Sequence, residues 1–160
     1  VIEDLRGRHG MSTLYRDDPP TKIVRLLRGG HGVGLVPDQT TENVGGVFID
    51  FLGHKAYTPV GPARLAITCN VPILMLMMKQ TDNGYRLLFD DILWPDRKSP
   101  RDDAILAMTK QWSGIIEGWI RNDPDQWQWC HDRWRLTPED LARKNRAEIS
   151  GKAPSPAAAD

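Results

Sequence analysis

The segment from Gly32 to Arg64, GVGLVPDQTTENVGGVFIDFLGHKAYTPVGPAR, constrains the fold more than any other stretch of the chain. It ends one apolar run at Val36, crosses a polar loop, enters a second apolar run at Val47 and meets Pro62, which suits the first turn of a helix. These chain reversals converge near Asp38 and Gln39, a carboxylate and an amide just past an apolar strand. In an open α/β sheet that is where ligands bind. Asp is also an ordinary turn residue after a strand, and the pattern alone leaves both roles open.

Helical and strand signals alternate on either side. The opening VIEDLRGRHG is helix-like. Thr21 follows Pro19 and Pro20 as an N-cap, Ile23, Val24, Leu26 and Leu27 supply an apolar face, and Arg28 before Gly29 gives a basic last turn and a glycine stop. Strands are expected at Val33–Val36 and Val47–Leu52. Pro62 opens a helix through Ala63, Leu65, Ala66 and Ile67 that Asn70 ends, and Val71–Met78 is a third strand. The TDNG turn at Thr81–Gly84 sends Tyr85–Leu93 back antiparallel. Beyond the polar loop PDRKSPRDD, Ile105, Met108, Trp112, Ile115, Ile116 and Trp119 recur at three- and four-residue steps, as on a core-facing helix that Asn122, Asp123 and Pro124 end. This order predicts an α/β fold, a mostly parallel, mixed sheet flanked by helices, with a late hairpin and C-terminal helices. From Gly151 onward GKAPSPAAAD is too small, polar and proline-rich to fold.

Charge and cysteine content narrow the chemistry. The 21 basic residues balance the 21 acidic ones, so there is no global basic field of the kind nucleic-acid binding uses, and any anion site must be local. Cys69 and Cys130 form no CxxC pair, which predicts free thiols in a reducing compartment and no zinc site. No apolar run approaches the roughly 18 residues that a membrane span requires. The chain opens with Val1 inside a helix-like stretch and reads as a piece of a longer protein.

Other candidate motifs carry bland readings. RGGHGVG, Arg28 to Gly34, lacks the GK[ST] ending of a phosphate loop and precedes a strand, so it is a helix stop and a nucleotide-binding domain is disfavoured. Cys130, His131 and Asp132 adjoin in sequence, and adjacent side chains seldom point at one another. Lys22, Arg25 and Arg28 form the solvated face of one helix. Arg133 and Arg135 alternate with tryptophans in DQWQWCHDRWRL. A guanidinium beside an indole can hold a phosphate while the ring covers lipid or sugar, or it can serve the structure alone. Such a tryptophan-rich end also suits a non-catalytic lipid-associating α/β module.

Four ordered blocks resemble the late acyltransferases of lipid A biosynthesis, lauroyl- and myristoyltransferase-like members of the lysophospholipid acyltransferase superfamily. The strand ending in VPDQ, then GVFIDFLG with AYTPVGPARLA, then VPILMLMMK and GYRLLF, match the family's order: a strand ending in DQ, a VF-x-x-FFG-x-x-A-x-T stretch and an apolar strand ending in Lys or Arg. IRNDPDQWQWCHDRWRL is similar to the family's IR-x-x-P-x-Q-Y-x-W-x-H-R-R-F-K ending. The resemblance runs from Arg6 to Arg135.

It implies that residues 1–140 are the C-terminal part of an acyltransferase domain; composition makes 141–160 a polar, disordered tail. The implied reaction moves a fatty acyl chain from acyl carrier protein or acyl-CoA to a hydroxyl of a lipid A precursor or related glycolipid, without a cofactor, at the cytoplasmic face of the bacterial inner membrane. The family's base and its orienting acid form a His-x4-Asp/Glu motif. At that spacing His9, His31, His54 and His131 reach Leu14, Val36, Pro59 and Leu136, so no catalytic residue is assigned to this chain and it is expected to be inactive alone. By resemblance, Asp38 and Gln39 correspond to the DQ pair and Arg6 to an arginine before the basic helix. With Arg133 they form the expected substrate-binding set. Arg133 lies in HDRWR where the family has HRRFK, so Asp132 stands in place of a base.

Overall fold

A computed structural model describes residues 2–15, 18–41 and 44–149, except for the side chains of 145 and 147–149. The chain divides into two compact units, residues 1–34 and 35–160.

The first unit holds α1 (Ile2–Arg8) and α2 (Pro20–Arg28). Pro19 rather than Thr21 is the N-cap of α2, because prolines preset its first turn and Thr21 lies inside the helix without a capping bond. Gly29 ends it as expected, its amide donating to the carbonyls of the last turn. Lys22 pairs with Asp18, whose carboxyl is held below its ordinary value by hydrogen bonds from the Lys22 ammonium and then the Tyr15 amide.

The second unit contains β1 (Gly46–Phe51), β2 (His54–Pro59), α3 (Gly61–Cys69), β3 (Ile73–Thr81), β4 (Gly84–Leu93), α4 (Arg101–Asn122), a single 3-10 turn at Pro124–Gln126 and α5 (Pro138–Ile149). The expected parallel sheet is not present. The described strands form two separate two-stranded antiparallel sheets, β1 with β2 and β3 with β4. The physical reason is β2, which the apolar pattern did not separate from the segment before Pro62. Leu52 and Gly53, both at positive φ (52° and 85°), reverse the chain in two residues, so β1 pairs directly with its neighbour in sequence, Phe51 opposite His54 through Gly46 opposite Pro59. The expected strand at 33–36 has no regular structure and, among the described residues, no strand beside it. An extended segment without a neighbour has nothing to bond with except water.

Gly46 is required where β1 crosses β2. A Cβ there would lie 2.7 Å from the Thr58 carbonyl oxygen and 2.8 Å from the Tyr57 ring. Asn70 ends α3 in the left-handed region (φ 55°, ψ 48°), as its position in the sequence suggested.

Helix α4 organises the packing. Asp102 and Asp103 in its first turn and Arg121 in its last complement its dipole. Its buried face is Ala104, Ile105, Met108, Thr109, Trp112, Ser113 and Ile120. One end packs Ile105 and Met108 with Val60, Ala63 and Ala66 of the α3 region. The other packs Ile120 with Phe51 and Ala56 of the first hairpin, flanked by Trp127 and Trp134. Each large apolar side chain buried this way contributes about 1.5–3 kcal/mol. The β1–β2 hairpin and the segment after α4 are thereby drawn to the same end of the helix.

At the far end, Thr137 and Asp140 form a reciprocal cap on α5, each side chain accepting the other's backbone N–H. Residues 141–149 of the expected tail lie in α5, and 150–160 lie outside the described residues. No helix among the described residues is long and apolar enough to cross a membrane.

Candidate functional site

The segment after α4 meets the loop before β1 around one buried cation. Arg133 is 1% exposed, with its guanidinium 5.0 Å from the centre of the Phe51 ring. Nη1 donates to the Thr40 hydroxyl and to the Tyr57 carbonyl, both at 2.7 Å, and Nη2 donates to the Thr58 hydroxyl at 2.6 Å. The Thr40 hydroxyl in turn donates to the Arg133 carbonyl. His131 Nε2 accepts the Thr40 amide N–H at 3.0 Å, and Arg135 donates to the Thr40 carbonyl at 3.3 Å. Every polar group of Thr40 is therefore bonded to the segment 131–135.

Asp38 stands two residues before this anchor. Its Oδ2 accepts the Trp127 indole N–H at 3.3 Å, while its Oδ1 is shielded from solvent and makes no hydrogen bond. Arg133 Nε is likewise buried without a partner. Burial pushes the Arg133 guanidinium down to about 10, and the Asp38 carboxylate opposes that shift. Arg133 thus remains a cation at neutral pH, facing an acid that balances it. A buried acceptor left unmade costs about 1–3 kcal/mol, which a donor brought by a ligand would recover. Aromatic rings wall this region: Trp127 lies 5.9 Å from Phe51, 4.8 Å from Trp129 and 6.4 Å from Trp134 between ring centres.

Of the residues singled out by sequence, Asp38 and Arg133 are brought together electrostatically. Gln39 adjoins Asp38 and is exposed. Arg6 lies exposed in α1, within the first unit. Thr40, Tyr57 and Thr58 were not visible as partners of Arg133. The one sequence signal toward them was the alternation of arginine and tryptophan at 133–135. Cys130, His131 and Asp132 engage three different groups: the Gln128 amide, the Thr40 amide and the Trp134 amide. Among the described residues no group of three or more His, Cys, Asp or Glu side chains converges. Two buried polar atoms of this region lack hydrogen-bond partners: Asp38 Oδ1, which can accept, and Arg133 Nε, which can donate.

Comparison with known proteins adds the family. The sequence profile described as bacterial lipid A biosynthesis acyltransferase matches residues 1–136. The chain is 31% identical over 139 residues to the lipid A biosynthesis lauroyltransferase of Escherichia coli (strain K12), covering 84% of this chain. It spans 43% of the length of that relative.

Proposed function

The chain belongs to the bacterial lipid A biosynthesis acyltransferase family, and from that membership we propose that the protein carrying it moves a fatty acyl group from a thioester to a hydroxyl of a lipid A precursor or related glycolipid. In this reaction the hydroxyl oxygen attacks the thioester carbonyl carbon and the C–S bond breaks. The thiol leaves with the proton that the hydroxyl loses, and an ester remains. The donor is acyl carrier protein or acyl-CoA. The acceptor is a lipid, so the reaction takes place at a membrane surface, the cytoplasmic face of the inner membrane.

A hydroxyl is a poor nucleophile near neutral pH and needs a positioned base. No histidine here has an acid at the His-x4-Asp/Glu spacing, and His131 Nε2 is engaged by the Thr40 amide. The part played by this segment is to hold the substrate. The observation that supports this is the unpartnered, desolvated Oδ1 of Asp38. It accepts a hydroxyl or N–H of the acceptor lipid, while Arg133 acts as a positioning residue through Thr40.

The reading is tested by incubating the purified parent protein with an acyl thioester and a lipid A precursor. A mass gain of one acyl chain on the lipid is expected from the parent, and none from the 160-residue chain. A folded parent that forms no product would contradict the proposal, as would turnover by the chain alone.

A further inference from the structure

The β3–β4 hairpin has one face in the core and one bare face. Ile73 and Leu93 pack against the α3–α4 core, and Met75 is buried. Cross-strand partners in an antiparallel ladder share a face. The pairs Leu74 with Ile92, Leu76 with Phe89 and Met78 with Leu87 place six apolar side chains together on the other side. All six are between 48% and 65% exposed. An antiparallel sheet with one solvated face normally shows polar residues there, whereas apolar residues on both faces mark a sheet covered on both sides. A contiguous apolar patch is an interaction surface.

We infer that this face docks polypeptide: the part of the acyltransferase domain lying beyond the 43% of the relative's length that this chain spans. Three observations favour that occupant. Each strand is paired on one side only among the described residues, and the remaining strand edges present N–H and C=O groups that a protein strand satisfies and a hydrocarbon layer cannot. Asp90 and Asp91 are exposed at the bulge opposite Met75, where acidic headgroups of a bilayer would meet like charge. The relative carries more than twice the matched length in one chain, so further polypeptide of the same family is at hand to cover the face. The inference rests on family membership and not on the acyl-transfer reading; an inactive parent with a covered hairpin leaves it standing.

The test places a thiol probe on the face. Leu76→Cys and Phe89→Cys are made singly, with Cys69 and Cys130 replaced by Ser, in both the chain and the parent protein, and maleimide labelling rates are compared. Both side chains are about half exposed or more, so the substitutions leave the chain's circular dichroism unchanged. Fast labelling in the chain is expected, with at least tenfold slower labelling in the parent, independent of added phosphatidylethanolamine–phosphatidylglycerol vesicles. Equal rates in chain and parent would overturn the inference. So would protection that appears only with vesicles, or that appears in the chain alone as its concentration rises, which would identify a bilayer or a second copy as the occupant. As a second readout, Leu76→Asp with Phe89→Asp lowers the melting temperature of the parent and leaves that of the chain unchanged. A parent unaffected by that pair contradicts the inference.

Discussion

Arg133 and Thr40 bond each other in both directions: the guanidinium donates to the Thr40 hydroxyl at 2.7 Å, and that hydroxyl donates to the Arg133 carbonyl. The exchange joins residues 93 apart in sequence and fixes the loop carrying Asp38 to the segment after α4. The site is thus assembled from a loop with no regular structure, held by one buried cation.

Removing that cation exposes its value. Arg133→Ala removes the charged donors to the Thr40 hydroxyl, the Tyr57 carbonyl and the Thr58 hydroxyl, and each hydrogen bond to a charged group is worth about 1.5–3 kcal/mol. A loss of about 3 kcal/mol is expected. Arg133→Lys keeps the charge but lacks the planar fork that reaches three acceptors, so it falls close to the Ala variant. Urea denaturation checks both: the midpoint drops while the slope is unchanged. A Lys variant as stable as the native chain would show that charge alone suffices.

Gly46→Ala tests the close crossing of β1 and β2. The obstacle at 2.7 Å is a backbone carbonyl rather than a flexible side-chain tip, so the strands must separate. Overpacking of this kind costs about 1–3 kcal/mol. Gly114→Ala, where nothing lies within 4 Å of the added carbon, is the matched control and should stabilise α4 slightly through helix propensity. Thermal unfolding of the pair reads the contrast.

The cap on α5 predicts a pH dependence. The Thr137 hydroxyl, then its amide, hold the Asp140 carboxyl below its ordinary 3.8. A carboxyl that is lower in the folded than in the unfolded state stabilises fully above the unfolded value, and that contribution is lost as pH falls through the folded one. Helicity of α5 should therefore be constant well above 3.8 and fall on acidification below it. Asp140→Asn should remove that step, which circular dichroism measured against pH detects.

How much of this was legible depended on how local the signal was. Helix α4 showed itself because its buried positions recur every three or four residues, and Asn70 and TDNG marked real chain reversals. The β2 strand did not, since its turn uses Leu52 at a positive φ in place of the usual Asn. Without it, a strand, a helix and another strand read as a parallel crossover. The apolar run at 33–36 was seen, but an apolar run becomes a strand only beside another strand. Alternating arginine and tryptophan marked Arg133 as unusual. Its protein partners lie 75 to 93 residues away, a distance over which no sequence pattern acts.

The central claim is that Asp38 offers its unpartnered oxygen to the acceptor lipid, and steady-state acyl transfer by the parent protein tests it. One hydrogen bond to a charged group corresponds to about a 10- to 150-fold effect. Asp38→Ala should lower kcat/KM for the acceptor by that factor, with the donor's KM little changed and a lower melting temperature, since Trp127 loses its acceptor and the buried Arg133 its balancing charge. Turnover equal to the native protein's, in a variant that folds normally, would contradict the account.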